Sequence, residues 1–458
     1  MTLSDDKTIA AISTPQGMGG ISVIRISGDN AISAADSVFV SVSGKKLSQI
    51  NGYTALFGKI FDGDEPVDEV VATVFRTPHS YTGENVVEIS CHGGAFITNR
   101  VLRIILKNGA SLAAPGEFTQ RAFLNGKLDL TEAEAVMDII SAKNKAAARS
   151  ALNIKEGRLH KEIDEIKNML VNTAAHLSAW ADYPEEDIPE VSDDVLLSEL
   201  DTVRSRIIDL INTADSGMAV KHGIDTLIIG KPNVGKSTLM NFLTGTEKSI
   251  VTDIPGTTRD IIEETVVIGS AVLILSDTAG MRSSDDPIEK IGVELVNKRI
   301  NSCGLALVVF DVSRPLDEND HKLLDLLDGV PSIAVINKTD LPCVIDLEYI
   351  RSQTDKSVMI SAAKGEGLEE LTQAVEELTG AAQFDENAAV ISNERQYQCV
   401  VNAEKSLDQA VWAIKDGITL DAVTVLIEES IQSLLELTGE RASETIVHNV
   451  FSRFCVGK

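Results

Sequence analysis

Nine residues carry the first chemistry this chain offers: GKPNVGKST, from Gly230 to Thr238. The spacing G-x-x-x-x-G-K-[ST] suits a loop that wraps phosphates. Gly230 and Gly235 let the backbone curl with N–H groups turned inward, and Asn233, Val234, Gly235, Lys236, Ser237 and Thr238 line the curl. Lys236 would reach the β- and γ-phosphates of a nucleotide, and the Ser237 hydroxyl would ligate Mg2+. The flanking apolar runs predict a strand from Thr226 to Ile229 and a helix from Leu239 to Leu243. A helix starting there turns its positive end toward the phosphates.

Three more pieces point to the base and the metal. DTAG (Asp277, Thr278, Ala279, Gly280) ends an apolar run, where a carboxylate can hold Mg2+ through water. NKTD (Asn337 to Asp340, with Lys338) ends another. The Asp340 carboxylate can accept the N1 and N2 protons of guanine. Adenine would leave those acceptors unpaired, which makes the site strongly selective. SAA (Ser361, Ala362, Ala363) stands where a backbone N–H can meet guanine O6. In this order the pieces are similar to the G1, G3, G4 and G5 motifs of the GTPase superfamily, so GTP is the expected ligand. TDIPGTTRD, Thr252 to Asp260, occupies the place of a switch loop, with Thr258 as a second Mg2+ ligand. Hydrolysis needs a positioned water, and Met281 stands where Ras-like enzymes carry a Gln. Asp285, Asp286 and Glu289 are the acidic candidates for that task. The developing charge could be met by Arg259 or Arg282. It could equally be met by a monovalent cation caged by the Asn233 amide, switch carbonyls and phosphate oxygens.

These loops need a scaffold. DTLIIG, AVLILSD, GLALVVFD, SIAVINK and SVMISA are strand-like runs, each leading into a loop, with helical stretches between them. That βαβ alternation predicts a mostly parallel sheet. Upstream, to about residue 120, short apolar runs (ISVIRISG, VVATVF, NVVEIS) alternate with Gly/Pro turns, a strand-rich α/β texture. From about Leu128 to Met218, and again from Phe384 onward, apolar residues recur with a helical period. The α/β block therefore reads as an insertion between two helical segments that pair. The acidic break YPEEDIPEVSDD, Tyr183 to Asp194, reads as an interhelical loop rather than a metal site.

Composition sets outer bounds. A chain of 458 residues is expected to form two to four domains. A net charge of −28 repels polyanions on average, so any nucleic acid must meet a local basic patch or a partner protein. The five cysteines (Cys91, Cys303, Cys343, Cys399, Cys455) are scattered, with no Cys-x-x-Cys pair. That argues against a disulfide framework or zinc site and for a reducing compartment. The opening MTLSDDKTIA lacks the pattern of a signal peptide, and no apolar run nears the ~20 residues of a membrane span. A cytoplasmic protein with no membrane contact is expected.

The whole chain resembles the MnmE (TrmE) family of tRNA uridine-modifying GTPases. The resemblance rests on TIAAISTPQGMGGISVIRISG, SYTGENVVEISCHGG, PGEFTQRAFLNGKLDLTEAEAV, VTDIPGTTRD, the G motifs and the terminal FCVGK. It implies an α/β multidomain fold: an N-terminal folate-binding and dimerising α/β domain (1–122), a helical domain in two segments (123–217 and 383–458), and an inserted Ras-like P-loop G domain (218–382). It implies a homodimer that works with the FAD-containing partner MnmG (GidA), as a heterotetramer or larger assembly, on the wobble uridine (U34) of tRNA. The product would carry a carboxymethylaminomethyl or aminomethyl group on C5, built from a 5-formyl- or methylene-tetrahydrofolate one-carbon unit. GTP hydrolysis would need K+ and face-to-face pairing of G domains.

Carried over residue by residue, K+ would be held by Asn233, Thr252, the Ile254 carbonyl and Thr257, and Mg2+ by Ser237 and Thr258. Glu289 would orient the water through a second water. Folate would meet Arg25, Glu88, Lys127 and Lys458: a pterin edge suits a carboxylate, and a glutamyl tail suits cations. Cys455 would lie close to the folate and is a candidate for the modification chemistry. The chain departs from the common family pattern at Gln16, Met18 and Pro255. Two other classes compete with this reading: a ribosome-assembly or regulatory GTPase switch without modification chemistry, and a stand-alone folate-dependent transferase regulated by its G domain. The folate-like residues of the N-terminal region argue against a pure switch.

Four features have plainer readings. Lys143, Lys145, Arg149, Lys155, Arg158 and Lys161 could touch a tRNA backbone but are expected to be a solvated helix face with Glu and Asp interleaved. Cys91 and His92 are adjacent on a strand and point to opposite faces, which disfavours a nucleophilic pair. Trp180 and Trp412, in helical texture, are expected in the core. FCVGK ends three residues after a cysteine, as a prenylation signal does, but Gly457 and Lys458 do not fit that signal.

Overall fold

The computed structural model describes residues 7–15, 17–182, 192–245, 263–276, 299–300 and 303–458. Contacts gather the chain into two compact units. One comprises Met1–Met137, Ile163–Lys167 and Glu428–Lys458, and the other Asp138–Glu162 and Asn168–Ile427.

The first unit is built on strands β1 (Ile9–Ile12), β2 (Ile21–Ser27), β3 (Phe39–Ser41), β4 (Thr54–Asp62), β5 (Glu65–Phe75), β6 (Val86–His92) and β7 (Ser111–Leu112). They lie in the order β3-β4-β5-β6-β2-β1-β7, antiparallel except for β1 with β7. The alternation of ISVIRIS decides which side each residue serves. Ile24 and Ile26 are fully buried and join Ile60, Val70, Ala72, Val87 and Ile89 against Val101 and Ile105 of the helix Ala95–Lys107. Burying each large side chain there contributes about 1.5–3 kcal/mol. The opposite parity carries Arg25, which the register of β2 and β6 sets directly across from Glu88.

The C-terminal end of the chain belongs to this unit. Val447 and Phe451, on the helix Glu444–Phe451, pack with Phe454, Leu130, Ala133 and Val136. Beyond them Gly457 adopts φ +95°, and a Cβ on it would fall 2.4 Å from the Ile12 carbonyl oxygen. Only glycine lets the tail pass this close to β1.

The second unit holds strands β8 (Ile224–Ile229), β9 (Glu263–Ile268), β10 (Ala271–Ser276), β11 (Leu305–Asp311), β12 (Ser332–Asn337) and β13 (Lys356–Met359), in the order β13-β12-β11-β8-β10-β9. Every neighbouring pair is parallel except the hairpin β9–β10. LALVVFD and SIAVIN are buried along their whole length, as parallel strands covered on both faces must be. The phosphate loop, NKTD and SAA leave the carboxyl ends of β8, β12 and β13, where open α/β sheets bind their ligands.

Among the described residues of this unit, helices fill much of what lies between and around the strands. Among them Asp193–Asn212 and Glu394–Lys415 are tied by Arg204, which reaches Glu404 at 2.9 Å and Asp408 at 2.8 Å. Trp412 departs from expectation: it is 60% exposed. The buried stripe of its helix runs through Ala403, Leu407, Ala410, Val411 and Ile414, and the helical period carries Trp412 to the other side. Trp180 is half-buried. Among the described residues no helix is long and apolar enough to cross a membrane.

Candidate functional site

The phosphate loop of the second unit is braced by hydrogen bonds from its own chain. Strand β8 delivers Gly230 at its end, and a helix runs from Lys236 to Gly245. The first rung of that helix in the loop is Leu239 N–H to the Gly235 carbonyl, at 2.8 Å. Its start therefore faces the loop as a donor end. Gly235 has φ +103°, and a Cβ there would stand 2.3 Å from Asn337 Nδ2, so the loop and the NKTD motif fit only around a glycine. Asn337 holds the loop directly: its Nδ2 donates to the Val234 carbonyl at 3.0 Å. Its Oδ1 accepts from the N–H of Lys338 at 2.8 Å and of Ala362 at 3.1 Å.

Lys338 works the same way. Its ammonium donates to the Asn233 carbonyl at 2.7 Å and to Asp311 Oδ2 at 2.6 Å. Asn233 and Lys338 both take left-handed backbone, φ +65° and +67°. Such strain in non-glycine residues is sustained only where surrounding bonds over-determine it. Asp311 was missed by motif reading, although it ends the run LALVVFD as the motif residue Asn337 ends SIAVIN, directly across from it in register. It is 5% exposed and also accepts the Ser313 hydroxyl at 2.6 Å. Burial pushes its carboxyl up, but Lys338 and Ser313 outweigh that and hold it below the usual range.

The base-recognition end is polar and open. The Asp340 carboxylate is exposed and accepts the Ser361 hydroxyl at 2.9 Å. That bond, with its own backbone and nearby Lys364 and Lys338, keeps it below the usual range and therefore an ionised acceptor at neutral pH. Ser361 and Ala362 are buried, and Ala363 is exposed. Lys236 donates to the carbonyls of Gly230 and Lys231, at 2.6 and 2.8 Å. Ser237 and Thr238 are exposed. Lys231 is turned away from this work: it pairs with Asp317 and Asp320 at 2.7 and 2.6 Å. The structure thus brings Asn233 to Thr238 together with Asn337, Lys338, Asp340 and Ser361 to Ala363. Thr252, Ile254, Thr257, Thr258, Asp277 to Gly280 and Glu289 lie outside the described residues, as do Gln16, Pro255, Arg259, Met281, Arg282, Asp285 and Asp286.

The hairpin β9–β10 follows the first of those segments and precedes the second. Its turn is gripped from outside. Glu376 accepts from the Ser270 N–H and hydroxyl at 2.8 and 2.6 Å, and Asn144 Nδ2 donates to the Ser270 carbonyl at 3.0 Å.

The first unit gathers a second polar site from distant stretches of chain. Arg25 Nε and Nη2 both reach Glu88 Oε1 at 2.9 Å, which leaves Oε2 turned elsewhere. Arg25 Nη1 donates to the Gly457 carbonyl at 3.3 Å, and the Ser13 hydroxyl donates to the same oxygen at 3.1 Å. The guanidinium lies 5.0 Å from the Tyr81 ring centre and 5.7 Å from that of Phe118. Lys458 Nζ stands 6.0 Å from the Tyr81 ring. Burial, then the charge of Arg25, holds the Lys458 ammonium below the usual lysine range. Tyr81 donates to or accepts from Thr119 Oγ1 at 2.8 Å.

Arg25, Glu88 and Lys458 are therefore together, with Tyr81, Phe118 and Gly457 as neighbours that no local motif announces. Lys127 donates to the Pro78 carbonyl at 3.2 Å, and no described contact joins it to the other three. Cys455 is a free, exposed thiol whose carbonyl accepts from the Lys458 N–H at 3.3 Å. Cys91 is buried and His92 exposed, on opposite faces as alternation requires. His92 Nδ1 instead lies 2.6 Å from Asp68 Oδ1.

Two family models together match nearly the whole chain. A family model described as the MnmE helical domain matches residues 130–455, and one described as the GTP-binding protein TrmE N-terminus matches residues 8–127. A relative from Geobacillus kaustophilus, "tRNA modification GTPase MnmE", is 40% identical over 462 residues, covering 100% of each chain. A relative of the same description from Clostridioides difficile is 41% identical over 456 residues, 99% of each. Among solved structures, the G domain of the T. maritima FeoB iron transporter is 30% identical over 34% of this chain and 98% of that one, with a TM-score of 0.26.

Proposed function

The chain belongs to the MnmE family of tRNA modification GTPases, and from that premise we propose how its two sites divide the work. It is a GTPase with a role in tRNA modification. Its specific reaction, in this reading, adds a carboxymethylaminomethyl or aminomethyl group to C5 of the wobble uridine, U34, using a one-carbon unit of 5-formyl- or methylene-tetrahydrofolate. The single observation that carries the folate part is the Arg25–Glu88–Lys458 cluster over Tyr81. Glu88 offers a carboxylate oxygen to a pterin edge, the aromatic ring a flat surface, and Lys458 a cation to the glutamyl tail. Lys127 would meet that tail only at a distance from the other three. The depressed Lys458 ammonium fits a group awaiting an anion. Cys455 beside it would serve the modification step.

GTP would be bound by Asn233, Val234, Gly235, Lys236, Ser237 and Thr238, with guanine read by Asn337, Lys338, Asp340 and Ser361 to Ala363. The ready-made loop and the exposed Ser237 hydroxyl fit a nucleotide with Mg2+, completed by Thr258 and by Asp277 to Gly280. K+ would add charge stabilisation from Asn233, Thr252, Ile254 and Thr257, with Glu289 positioning the water. The Asn233 backbone, fixed by Lys338, supports a preset cation ligand at that position. The working form would be a cytoplasmic homodimer joined by the flavoprotein MnmG. Its domains would be 1–122 for folate and dimerisation, 123–217 with 383–458 as the helical part, and 218–382 as the G domain.

The test is mass spectrometry of wobble uridine in tRNA from cells lacking the protein. Loss of the C5 group is the expected result, and an unchanged C5 group would sink the reading. GTP turnover should also rise in K+ relative to Na+, and equal rates would remove the cation from the mechanism.

A further inference from the structure

Between Lys143 and Glu162 the chain carries six Lys and Arg side chains against two carboxylates, in a protein of net charge −28. All six are exposed. Two are engaged within their unit: Arg149 pairs with Glu386 at 2.8 Å, and Lys143 donates to Thr265 Oγ1 at 3.4 Å. The other four, Lys145, Lys155, Arg158 and Lys161, meet no carboxylate among the described residues. The interleaved acids do not neutralise them. Glu162 is committed to Arg206, at 3.0 and 2.7 Å, which leaves Glu156 alone among the four cations.

The mount is rigid. Asn144 caps the helix Lys145–Lys155 by accepting the Ala147 N–H at 2.6 Å, while its Nδ2 holds the Ser270 carbonyl. Near the other end Asn153 donates to the Glu386 carbonyl at 2.6 Å. Ala147, Ala151 and Ile154 are buried beneath. With its backbone pinned at both ends, the helix needs no ordering when a ligand binds, so the cost is confined to the side-chain rotamers. Gly157, at φ +86°, turns the chain directly into the next helix, which begins with Arg158.

We propose that Lys145, Lys155, Arg158 and Lys161 form a docking surface for the phosphate backbone of tRNA. The inference rests on the tRNA-modification reading and names where the RNA lies. An acidic protein fits less well. Protein interfaces are depleted in lysine and built on apolar anchors. Here three of the four cations are lysines, and Leu152 is the exposed large apolar side chain among them.

The experiment uses the full-length protein, an unmodified tRNA transcript and a NaCl titration. Each phosphate contact adds about 0.7–0.9 to the slope of log affinity against log salt. Replacing all four residues with Gln should lower that slope by about 3. Between roughly 50 and 200 mM salt, the wild type should then lose about sixtyfold more affinity than the variant. RNA-free GTP turnover and thermal stability should stay at wild-type values, which separates docking from misfolding. A control replacing exposed Lys107, Lys322, Lys405 and Lys415 with Gln should leave the slope unchanged.

An unaltered slope in the first variant overturns the proposal while leaving the function intact. So does a slope that drops equally in the control. Weakened binding of the flavoprotein with unaltered RNA binding would reassign the surface to a protein partner and also overturn it. A wild type with no measurable affinity for tRNA would overturn this inference and count against the function itself.

Discussion

The nucleotide loop and the Arg25 cluster are both polar sites at the ends or faces of sheets, yet they are assembled differently. In the proposed nucleotide site the groups assigned to phosphate and base come from short consecutive stretches at the ends of parallel strands of one sheet. The bracing bonds, Asn337 to Val234 and Lys338 to Asn233, run between those stretches. Backbone geometry is the product, and side chains such as Asp311 serve to hold it. In the Arg25 cluster the side chains themselves are the product. They arrive from β2, β6 and the end of the chain, with Arg25 meeting a carbonyl 432 residues away. One site depends on loop shape and the other on whether the tail is seated. Substitutions should therefore fail in different ways in the two.

The largest separation should come from Lys236→Ala. Removing the ammonium proposed to meet phosphate is expected to lower GTP turnover by about 10²–10³-fold while leaving tetrahydrofolate binding untouched, as read by steady-state kinetics and calorimetry. A folate affinity that fell in parallel would break the comparison.

Asp311→Asn comes next. It keeps the shape but leaves Lys338 without its charge partner, so the GTP KM should rise about tenfold, consistent with a loss of roughly 1.5 kcal/mol for a hydrogen bond to a charged group. An unchanged KM would mean that Asn233 alone positions Lys338.

Gly457→Ala attacks the other site through a tight passage of the tail. The new methyl must displace the Ile12 carbonyl from 2.4 Å at a backbone angle that L-residues avoid. A destabilisation of about 1–3 kcal/mol is expected, with loss of folate affinity and normal GTP turnover. Wild-type melting and folate binding together would show that the tail is not seated there.

The smallest effect is a proton. Lys458 sits below the ordinary lysine value of 10.5 because burial, and then the charge of Arg25, penalises its ammonium. A depressed folded pKa means that its penalty on stability fades as pH rises from the depressed value toward 10.5. An anionic ligand should lift the pKa again, so folate binding in that window should take up a fraction of a proton. Calorimetry in buffers of different ionisation enthalpy reads this directly, and zero uptake would place the tail of the ligand elsewhere.

The same contrast explains what could be read from sequence. Gly230, Lys236 and Asp340 were legible because their spacing is local and their chemistry demands it. The parallel strands were legible because LALVVFD and SIAVIN are apolar on both faces. Arg25, Glu88 and Lys458 carry no spacing of their own and entered only through family resemblance. Their partners Tyr81, Phe118 and Gly457 stayed hidden because tertiary contact alone brings them in. Asp311 was hidden in a different way, as a bracing group with no ligand contact to advertise it. Trp412 was misjudged from its type, although the phase of Ala403, Leu407 and Val411 places it on the outer face. The basic stripe was read as a solvated helix face with Glu and Asp interleaved, and its six cations are indeed exposed. Which cation Glu162 would choose is decided in three dimensions, and it chooses Arg206.

The central claim is that two separable sites serve one modification. Glu88→Gln tests it most directly, with GTP turnover and C5 modification of wobble uridine measured side by side on the same preparation. The account predicts wild-type GTP turnover with at least a tenfold loss of modification, about the 1.4 kcal/mol or more expected when a charged hydrogen-bond acceptor is neutralised. Full modification, or GTP turnover that falls in step with it, would contradict the account.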